Sequence, residues 1–311
     1  MNYPDYFKAN NSLNLFGLKK NFQFLLSLYS KKKLPRVLML SGNKGSGKST
    51  LINHFLYSIF DTENYDKEKN IFNKTSHFLS QFKNNIFENI VYVKGSDFQS
   101  VKVDDIRNLK KKLSQSTIMN KDRFIVFDDV ELFNHNSLNA MLKTIEEPSK
   151  NNFFFLINNK SKPILETIKS RALEIKIIIN DNERLKIIEN LLNTLKLEPT
   201  IDPKISQLSP GNFVKFNYIC KEYNINPNDD LLENLSKLLI LYKKIKDILF
   251  INVAFFIVDY YFRNFSKKRN YNDIEILEIK THIFNNLNNF MLYNINQNVL
   301  LNSISTKLNY E

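Results

Sequence analysis

The stretch FIVFDDVELFNHNSLNAMLKTIEEPSKNNFFFLINNKSKPILETIKSRA, from Phe124 to Ala172, decides the fold of this chain. It opens with an apolar run that ends in two carboxylates, Asp128 and Asp129, and a second apolar run at 153–157 ends in two amides. Runs that are apolar at every position indicate strands buried on both faces, as in parallel sheets. The stretch therefore predicts two parallel strands with polar side chains at their carboxyl ends, where α/β sheets bind ligands.

A helix is predicted between the two runs because apolar residues recur there at helical spacing. These residues are Leu138, Met141, Leu142 and Ile145, and Glu146-Glu147-Pro148 follows them. A helix in this place makes a βαβ crossover between the parallel strands. The stretch ends on Ser170-Arg171, which adds a fixed positive charge about one short helix after the second strand.

Upstream, residues 42–49 read GNKGSGKS and fit the phosphate-loop pattern GxxxxGK[ST] without a mismatch. They follow an apolar strand at 37–40 and precede a segment of helical periodicity, so backbone N–H groups and a helix N-terminus can face phosphate oxygens. The motif predicts a nucleotide site in which Lys48 contacts the β- and γ-phosphates and the Ser49 hydroxyl binds Mg2+. The residues predicted to contact the nucleotide are Gly42, Asn43, Lys44, Gly45, Ser46, Gly47, Lys48, Ser49 and Thr50.

Composition narrows the class of protein. The 311 residues suffice for two or three domains, and the single cysteine, Cys220, excludes an intrachain disulfide and a cysteine-based zinc site. The N-terminus has no signal segment, and the longest apolar run, 248–258, is too short to span a bilayer. We therefore expect a cytoplasmic protein without membrane contact. The net charge of +12 is compatible with a nucleic-acid partner and equally with a solvated basic surface.

Periodicity and turn residues divide the chain into three predicted domains. An α/β nucleotide-binding domain covers 1–179, a small helical lid domain covers 180–225, and an all-helical domain covers 230–311. The segment 224–230, rich in Asn, Asp and Pro, is the predicted linker before the last domain. The predicted fold class is α/β, a P-loop parallel sheet with flanking helices, followed by helical domains.

The order of these motifs resembles the clamp-loader branch of the AAA+ ATPases, and within it the delta-prime subunit family of bacterial DNA polymerase III. The similarity covers nearly the whole chain, including LPRVLMLSGNKGSGKST, VDDIRNLKKKL and, near the end, YNINQNVLLNSI, and is most specific at 139–148 and Ser170-Arg171. It implies a hetero-oligomer with gamma/tau-type and delta-type subunits, which loads a ring-shaped sliding clamp onto primed DNA. It also implies ATP or ADP with Mg2+ as the ligand, and no zinc.

The resemblance implies roles for polar side chains outside the phosphate loop. Asp128 falls on the Walker B position that helps to bind Mg2+, and Asn159 on the sensor-1 position that orients the attacking water. Arg171 falls on the arginine finger that acts on the ATP of a neighbouring subunit, although the third residue of that SRC motif is Ala172 here.

Two departures from the family pattern bear on hydrolysis. Asp129 stands where active motors carry a catalytic Glu, and a misplacement of about 1 Å costs on the order of 100-fold in rate. Slow hydrolysis by the chain alone is therefore expected, although Asp129 and Glu131 are also compatible with a solvated helix start. The expected sensor-2 arginine is replaced by Val214, with Lys215 beside it as an imperfect substitute.

Two other functions are compatible with a phosphate loop. A gamma/tau-type clamp-loader motor would share the sheet, but it normally carries a four-cysteine zinc module and Asp-Glu at Walker B. A P-loop small-molecule kinase would need an arginine-bearing lid, and it would have no use for Ser170-Arg171 or for a helical C-terminal domain. The histidines His54, His77, His135 and His282 have no metal-ligand spacing and are expected to be surface or core residues.

Overall fold

The computed structural model describes residues 3–95, 122–134, 139, 145–146, 151–265 and 272–308. They form two compact units. The first comprises 3–191 together with 209–212, and the second comprises 192–208 and the described residues from 213 onward. The predicted division into three domains stays a prediction.

A parallel sheet lies at the centre of the first unit, and a separate hairpin accompanies it. The strands are β1 (Val37–Ser41), β2 (Tyr65–Asp66), β3 (Ile71–Phe72), β4 (Ile90–Lys94), β5 (Arg123–Asp128), β6 (Asn152–Asn158) and β7 (Leu173–Lys176). The order in the five-stranded sheet is β4-β5-β6-β1-β7 with every pairing parallel, and β2 pairs with β3 in the hairpin. The predicted parallel α/β sheet is thus confirmed.

The strand register brings the polar residues to one edge of the sheet. Ser41 at the end of β1 pairs with Asn158 at the end of β6, and Lys94 at the end of β4 pairs with Asp128. Because parallel strands end at the same side, the loops after β1, β5 and β6 all begin at this edge.

Helices cover both faces of the sheet. They are α1 (Lys19–Ser30), α2 (Lys48–Phe60), α3 (His77–Lys83) and α4 (Glu166–Lys169). A further helix, α5 (Asp181–Leu195), follows β7 in the chain. All residues of β1, β5 and β6 are buried, which explains why these strands are apolar at nearly every position. One apolar cluster includes Phe55 of α2, and the other includes Phe127 and Ile168.

The polar segment 60–89, of mixed charge, is predicted from its sequence to be a helix with loose connections, and the structure differs. It contains the β2–β3 hairpin and the short helix α3. The ring of Phe72 in β3 stacks on Tyr57 of α2 with centroids 4.6 Å apart, so the hairpin buries aromatic area that a solvated helix would leave exposed. The sequence predicts a further helix start with Asp104 as its cap, and this segment lies outside the described residues. Most of the helix predicted at 138–148 also lies outside them, and its described residues Asn139, Ile145 and Glu146 are helical.

The second unit is helical in its described part. Helix α6 (Pro210–Glu222) begins in the first unit, and α7 (Leu231–Ile245), α8 (Ile248–Phe265), α9 (Asp273–Tyr293) and α10 (Gln297–Leu308) follow. Side-chain caps begin two of them, because Asp230 accepts from the Glu233 N–H at 3.0 Å and Asn272 forms a capping box with Glu275. Within the described ranges, no helix is both long enough and apolar enough to cross a bilayer.

A histidine is buried beside the hairpin. The ring of His54 in α2 is fully buried, with Nδ1 3.0 Å from the Tyr65 hydroxyl and Nε2 3.0 Å from the Ser12 carbonyl oxygen. A neutral ring satisfies both contacts when Nε2–H donates to Ser12 and the tyrosine donates to Nδ1. Burial lowers the pKa of His54 to about 4.

This histidine should make the stability of the protein depend on pH. In the unfolded chain its pKa is about 6.5, so between pH 6.5 and 4 the unfolded state binds more protons and stability falls as pH falls. The shift corresponds to about 3 kcal/mol of unfolding free energy over this range. We expect His54→Gln to remove this part of the slope in urea unfolding measured from pH 7 to 4. His77→Gln, which alters an exposed histidine of α3, is the control, and equal slopes in all three proteins would contradict the assignment.

Candidate nucleotide-binding site

The phosphate loop connects β1 to α2 and needs glycine at two of its turns. Gly45 and Gly47 have φ angles of +81° and +86°, a region that favours glycine. A Cβ atom on Gly45 would also lie 2.5 Å from Ser209 Oγ and 2.8 Å from the Asn212 backbone nitrogen. A substitution at Gly45 would therefore clash as well as strain the backbone.

The turn at 209–212 packs directly on this loop. The Gly211 N–H donates to the Gly45 carbonyl oxygen at 2.9 Å, and the Ser209 hydroxyl donates to the Lys44 carbonyl oxygen at 2.5 Å. The residues Ser209-Pro210-Gly211-Asn212 are typical of a turn, but they give no sign of the contact, which joins segments far apart in the chain. The beginning of α6 thus fixes the middle of the phosphate loop.

Lys48 is the first residue of α2, and its side chain is buried in the loop. Its ammonium donates to the carbonyl oxygens of Gly42 at 2.7 Å and Asn43 at 2.8 Å. Burial lowers the pKa of Lys48 to about 8, while the nearby carboxylates of Asp128, Glu131 and Asp129 act in the opposite direction. The lysine is therefore still largely charged at neutral pH.

Ser49 and Asp128 meet at the edge of the sheet. The Ser49 hydroxyl donates to Asp128 Oδ2 at 3.0 Å, and the Tyr92 hydroxyl donates to the same oxygen at 2.9 Å. Burial raises the pKa of Asp128, and the negative charge of Asp129 raises it further. A hydroxyl beside a carboxylate is an oxygen donor set that fits Mg2+. Sequence reasoning missed Tyr92, whose only signal is its place on the strand beside Asp128.

Asp129 and Asn159 are brought into direct contact. The Asn159 amide donates to Asp129 Oδ1 at 2.6 Å, and Lys44 Nζ lies 3.8 Å from the same oxygen. Asp129 has a left-handed backbone, with φ +53° and ψ +45°, which turns the chain sharply after β5. The two side chains that the resemblance assigns to hydrolysis therefore form one polar cluster with a lysine of the phosphate loop.

The alternative of a solvated helix start at Asp129 and Glu131 is wrong. These residues are 3% and 5% exposed, because the turn after β5 folds back against the sheet edge. Glu131 Oε1 accepts from the Asn159 N–H at 3.1 Å and from the Ser161 hydroxyl at 2.8 Å. Asn158 accepts from the Lys160 N–H at 2.8 Å and so closes the turn after β6.

Arg171 lies after α4, outside this cluster. Its side chain is 37% exposed, and its guanidinium pairs with Glu146 at 2.6 Å and donates to the Thr167 carbonyl oxygen at 2.9 Å. Its ion pair and hydrogen bonds go to Glu146, Thr167 and Ser170, which are neighbours in its own surface region. In the second unit, Val214 is buried and Lys215 is half-buried, and the predicted replacement of the sensor-2 arginine by Lys215 stays a prediction.

No group of three or more His, Cys, Asp or Glu side chains is arranged to hold a metal ion among the residues that the structure describes. The oxygens of the Ser49–Asp128 pair are suited to a cation that also contacts a ligand. The phosphate loop supplies the backbone groups and the positive charge for that ligand.

A family model described as "DNA polymerase III, delta subunit" matches residues 17–180, more than half of the chain. The chain belongs to this DNA polymerase III family. The matched residues contain the phosphate loop, Asp128, the Asp129–Asn159 cluster and Arg171. Membership supports the resemblance to clamp-loader subunits and confirms the predicted family.

Individual relatives of this DNA polymerase III family member are distant. DNA polymerase III subunit gamma of Buchnera aphidicola subsp. Acyrthosiphon pisum is 23% identical over 190 residues, which cover 61% of this chain and 50% of the relative. Subunit delta-prime of Buchnera aphidicola subsp. Baizongia pistaciae is 24% identical over 169 residues, covering 52% and 49%. A gamma subunit-related structure from Thermotoga maritima covers 91% of this chain and 98% of that chain at 14% identity and a TM-score of 0.44, a loose likeness. The chain spans about half the length of the curated relatives it matches.

Proposed function

We propose that this clamp-loader subunit binds ATP or ADP with Mg2+ and hydrolyses ATP slowly by itself. The observation that carries the proposal is the Ser49 hydroxyl 3.0 Å from the Asp128 carboxylate, directly beside the buried Lys48. This pair offers oxygen ligands to Mg2+, and the glycine loop offers backbone N–H groups to phosphate oxygens. A bound Mg2+ would bridge phosphate oxygens and neutralise part of their charge.

The residues of the loop would share the binding. Lys48 would exchange its two carbonyl partners for phosphate oxygens, because its ammonium is the only side-chain cation that the loop itself buries among the described residues. The N–H groups of 44–49 run from the loop into the start of α2, and the Thr50 hydroxyl lies in the first turn of this helix, where the helix dipole favours an anion.

Slow hydrolysis is supported by the state of Asp129. Its carboxylate is one methylene shorter than a glutamate, it already accepts from Asn159 at 2.6 Å, and it lies 3.8 Å from Lys44. A general base must come within hydrogen-bond reach of the water that it activates, and these partners hold the carboxylate back.

The proposal includes a second activity, in which Arg171 acts on the nucleotide of a neighbouring subunit. Its exposed guanidinium and its position away from the phosphate loop support a role in trans. The partners would be gamma/tau-type and delta-type clamp-loader subunits, and through them the sliding clamp and primed DNA, in the cytoplasm.

A gamma-type motor is the second candidate, because relatives named gamma and tau match the chain alongside relatives named delta-prime. The single cysteine and the Asp128-Asp129 pair weigh against it, since the motor type normally carries four zinc-binding cysteines and Asp-Glu. Among the described residues, the polar cluster at Asp129 offers no glutamate in the motor position.

Steady-state ATP hydrolysis separates these candidates. We expect the purified chain alone to turn over ATP at close to background rate, while a complex reconstituted with gamma/tau-type and delta-type subunits hydrolyses ATP when the clamp and primed DNA are added. Co-purification with those subunits is the first arm of the experiment. Fast turnover by the isolated chain would favour the motor, and failure to co-purify would refute the assembly.

A further inference from the structure

A buried carboxylate beside the site has no role in the function proposed above. Glu131 lies in the short turn Val130–Leu132 after β5, three residues beyond Asp128. Its Oε1 accepts from the Asn159 N–H at 3.1 Å and from the Ser161 hydroxyl at 2.8 Å. A single oxygen therefore ties the loop after β6 to the loop after β5.

The other oxygen of this carboxylate is not satisfied. Glu131 Oε2 is buried and has no hydrogen-bond partner among the described residues. Leaving a buried polar atom unpaired is unfavourable and offsets much of what the two bonds to Oε1 contribute. If this connection served only the stability of the fold, a smaller neutral acceptor would stabilise it more than a carboxylate with one unpaired oxygen. We therefore expect Glu131 to act through the residue that it holds in place.

What it holds is Asn159. Asn159 donates two hydrogen bonds, one from its backbone N–H to Glu131 and one from its side-chain amide to Asp129 at 2.6 Å. The backbone bond fixes the Cα position from which the short side chain reaches Asp129. The cluster at the sheet edge therefore depends on a carboxylate whose own hydrogen bonds go to Asn159 and Ser161.

We propose that Glu131 is a positioning residue of the nucleotide site, which holds the backbone of Asn159 so that its amide reaches Asp129. The inference rests on the proposed nucleotide-binding function. Replacing a residue that orients a ligand-binding side chain without contacting the ligand typically lowers affinity or activity by about 10- to 100-fold.

The first test measures the hydrogen bond itself in the full chain without nucleotide. Glu131→Ala removes the acceptor, and we expect amide hydrogen exchange at Asn159 to become at least about 10-fold faster while the central strands keep their protection. Glu131→Gln keeps an acceptor oxygen and should restore most of the protection. Unchanged exchange at Asn159 in the alanine variant would overturn the inference.

The second test measures binding of a fluorescent Mg–ATP analogue. We expect Glu131→Ala to raise Kd by about 10-fold and Glu131→Gln to recover most of the affinity, a rescue that a residue acting as a proton acceptor would not give. In the Asn159→Ala background, Glu131→Ala should add little, because one residue acts through the other. Additive effects would overturn the inference.

The controls separate this inference from the proposed function. Glu63→Gln removes an exposed carboxylate of the same unit and should change neither measurement. Ser161→Ala removes one donor to Glu131 Oε1 without changing the charge. If Glu131→Ala does not fold, Ser161→Ala takes its place, and hydrogen exchange at Asn159 should change in the same direction. If the unmutated chain binds no nucleotide, the proposed function fails, and the exchange experiment still decides whether Glu131 holds Asn159.

Discussion

Arg171→Ala should lower the DNA-stimulated ATP hydrolysis of a reconstituted clamp loader by about 10³- to 10⁵-fold at the site that receives this arginine. The reason is electrostatic, because a guanidinium stabilises the charge on the transferring phosphoryl group and can bridge two of its oxygens. Nucleotide binding by this chain should be unchanged, since the Arg171 side chain contacts Glu146, Thr167 and Ser170. Single-turnover hydrolysis with clamp and primed DNA is the measurement.

The surface around Arg171 supplies matched controls. Lys169→Ala removes an exposed cation of α4, paired with Glu166 at 2.6 Å, and should leave hydrolysis unchanged. Arg171→Lys should fall between alanine and the unmutated protein, because lysine keeps the charge but not the planar pair of donors. Equal activity of the alanine variant and the unmutated complex would refute the role in trans.

Lys48→Ala should abolish detectable binding of a fluorescent ATP analogue to the isolated chain. Phosphate oxygens carry most of the charge of the ligand, and Lys48 is the buried cation of the loop. Its removal also leaves the carbonyl oxygens of Gly42 and Asn43 without their donor, so circular dichroism should be recorded to establish that the variant is folded.

The control for Lys48 is an exposed lysine of the same unit. Lys20→Ala on α1 removes equal charge and should bind the analogue with unchanged Kd. A Lys48→Ala variant that binds as well as Lys20→Ala would exclude the loop as the site. If the unmutated chain does not bind the analogue, the phosphate-loop motif is intact but no longer binds nucleotide.

The sheet could be predicted because each of its central strands is recognisable from its own sequence. β1, β5 and β6 are buried on both faces, so their sequences are apolar at nearly every position, and each ends in a polar residue at the same edge. The phosphate loop could also be predicted, since its glycines and Lys48 fall at fixed spacing between a predicted strand and a predicted helix.

What could not be predicted depends on contacts between distant segments. The carboxylate of Glu131 follows two aspartates and is compatible with a helix surface, and only the fold of the loop after β6 buries it against Asn159 and Ser161. The packing of Gly211 on Gly45 has no local signal either, because each glycine alone reads as an ordinary turn. The hairpin β2–β3 has only two residues per strand, and contacts with distant segments hold it, among them the stacking of Phe72 on Tyr57 and the bond from the Phe72 N–H to the Leu13 carbonyl oxygen.

The bonds that Lys48 makes within its own loop have a thermodynamic consequence. The loop is closed around the ammonium and braced by Ser209 and Gly211, so contacts within the protein itself hold its backbone in place. Ordering a flexible residue costs about 1–2 kcal/mol of conformational entropy, and a preorganised loop of this length avoids most of that cost on association. Binding should then proceed as an exchange of acceptors on one lysine, with a small entropic penalty and little change in backbone dynamics.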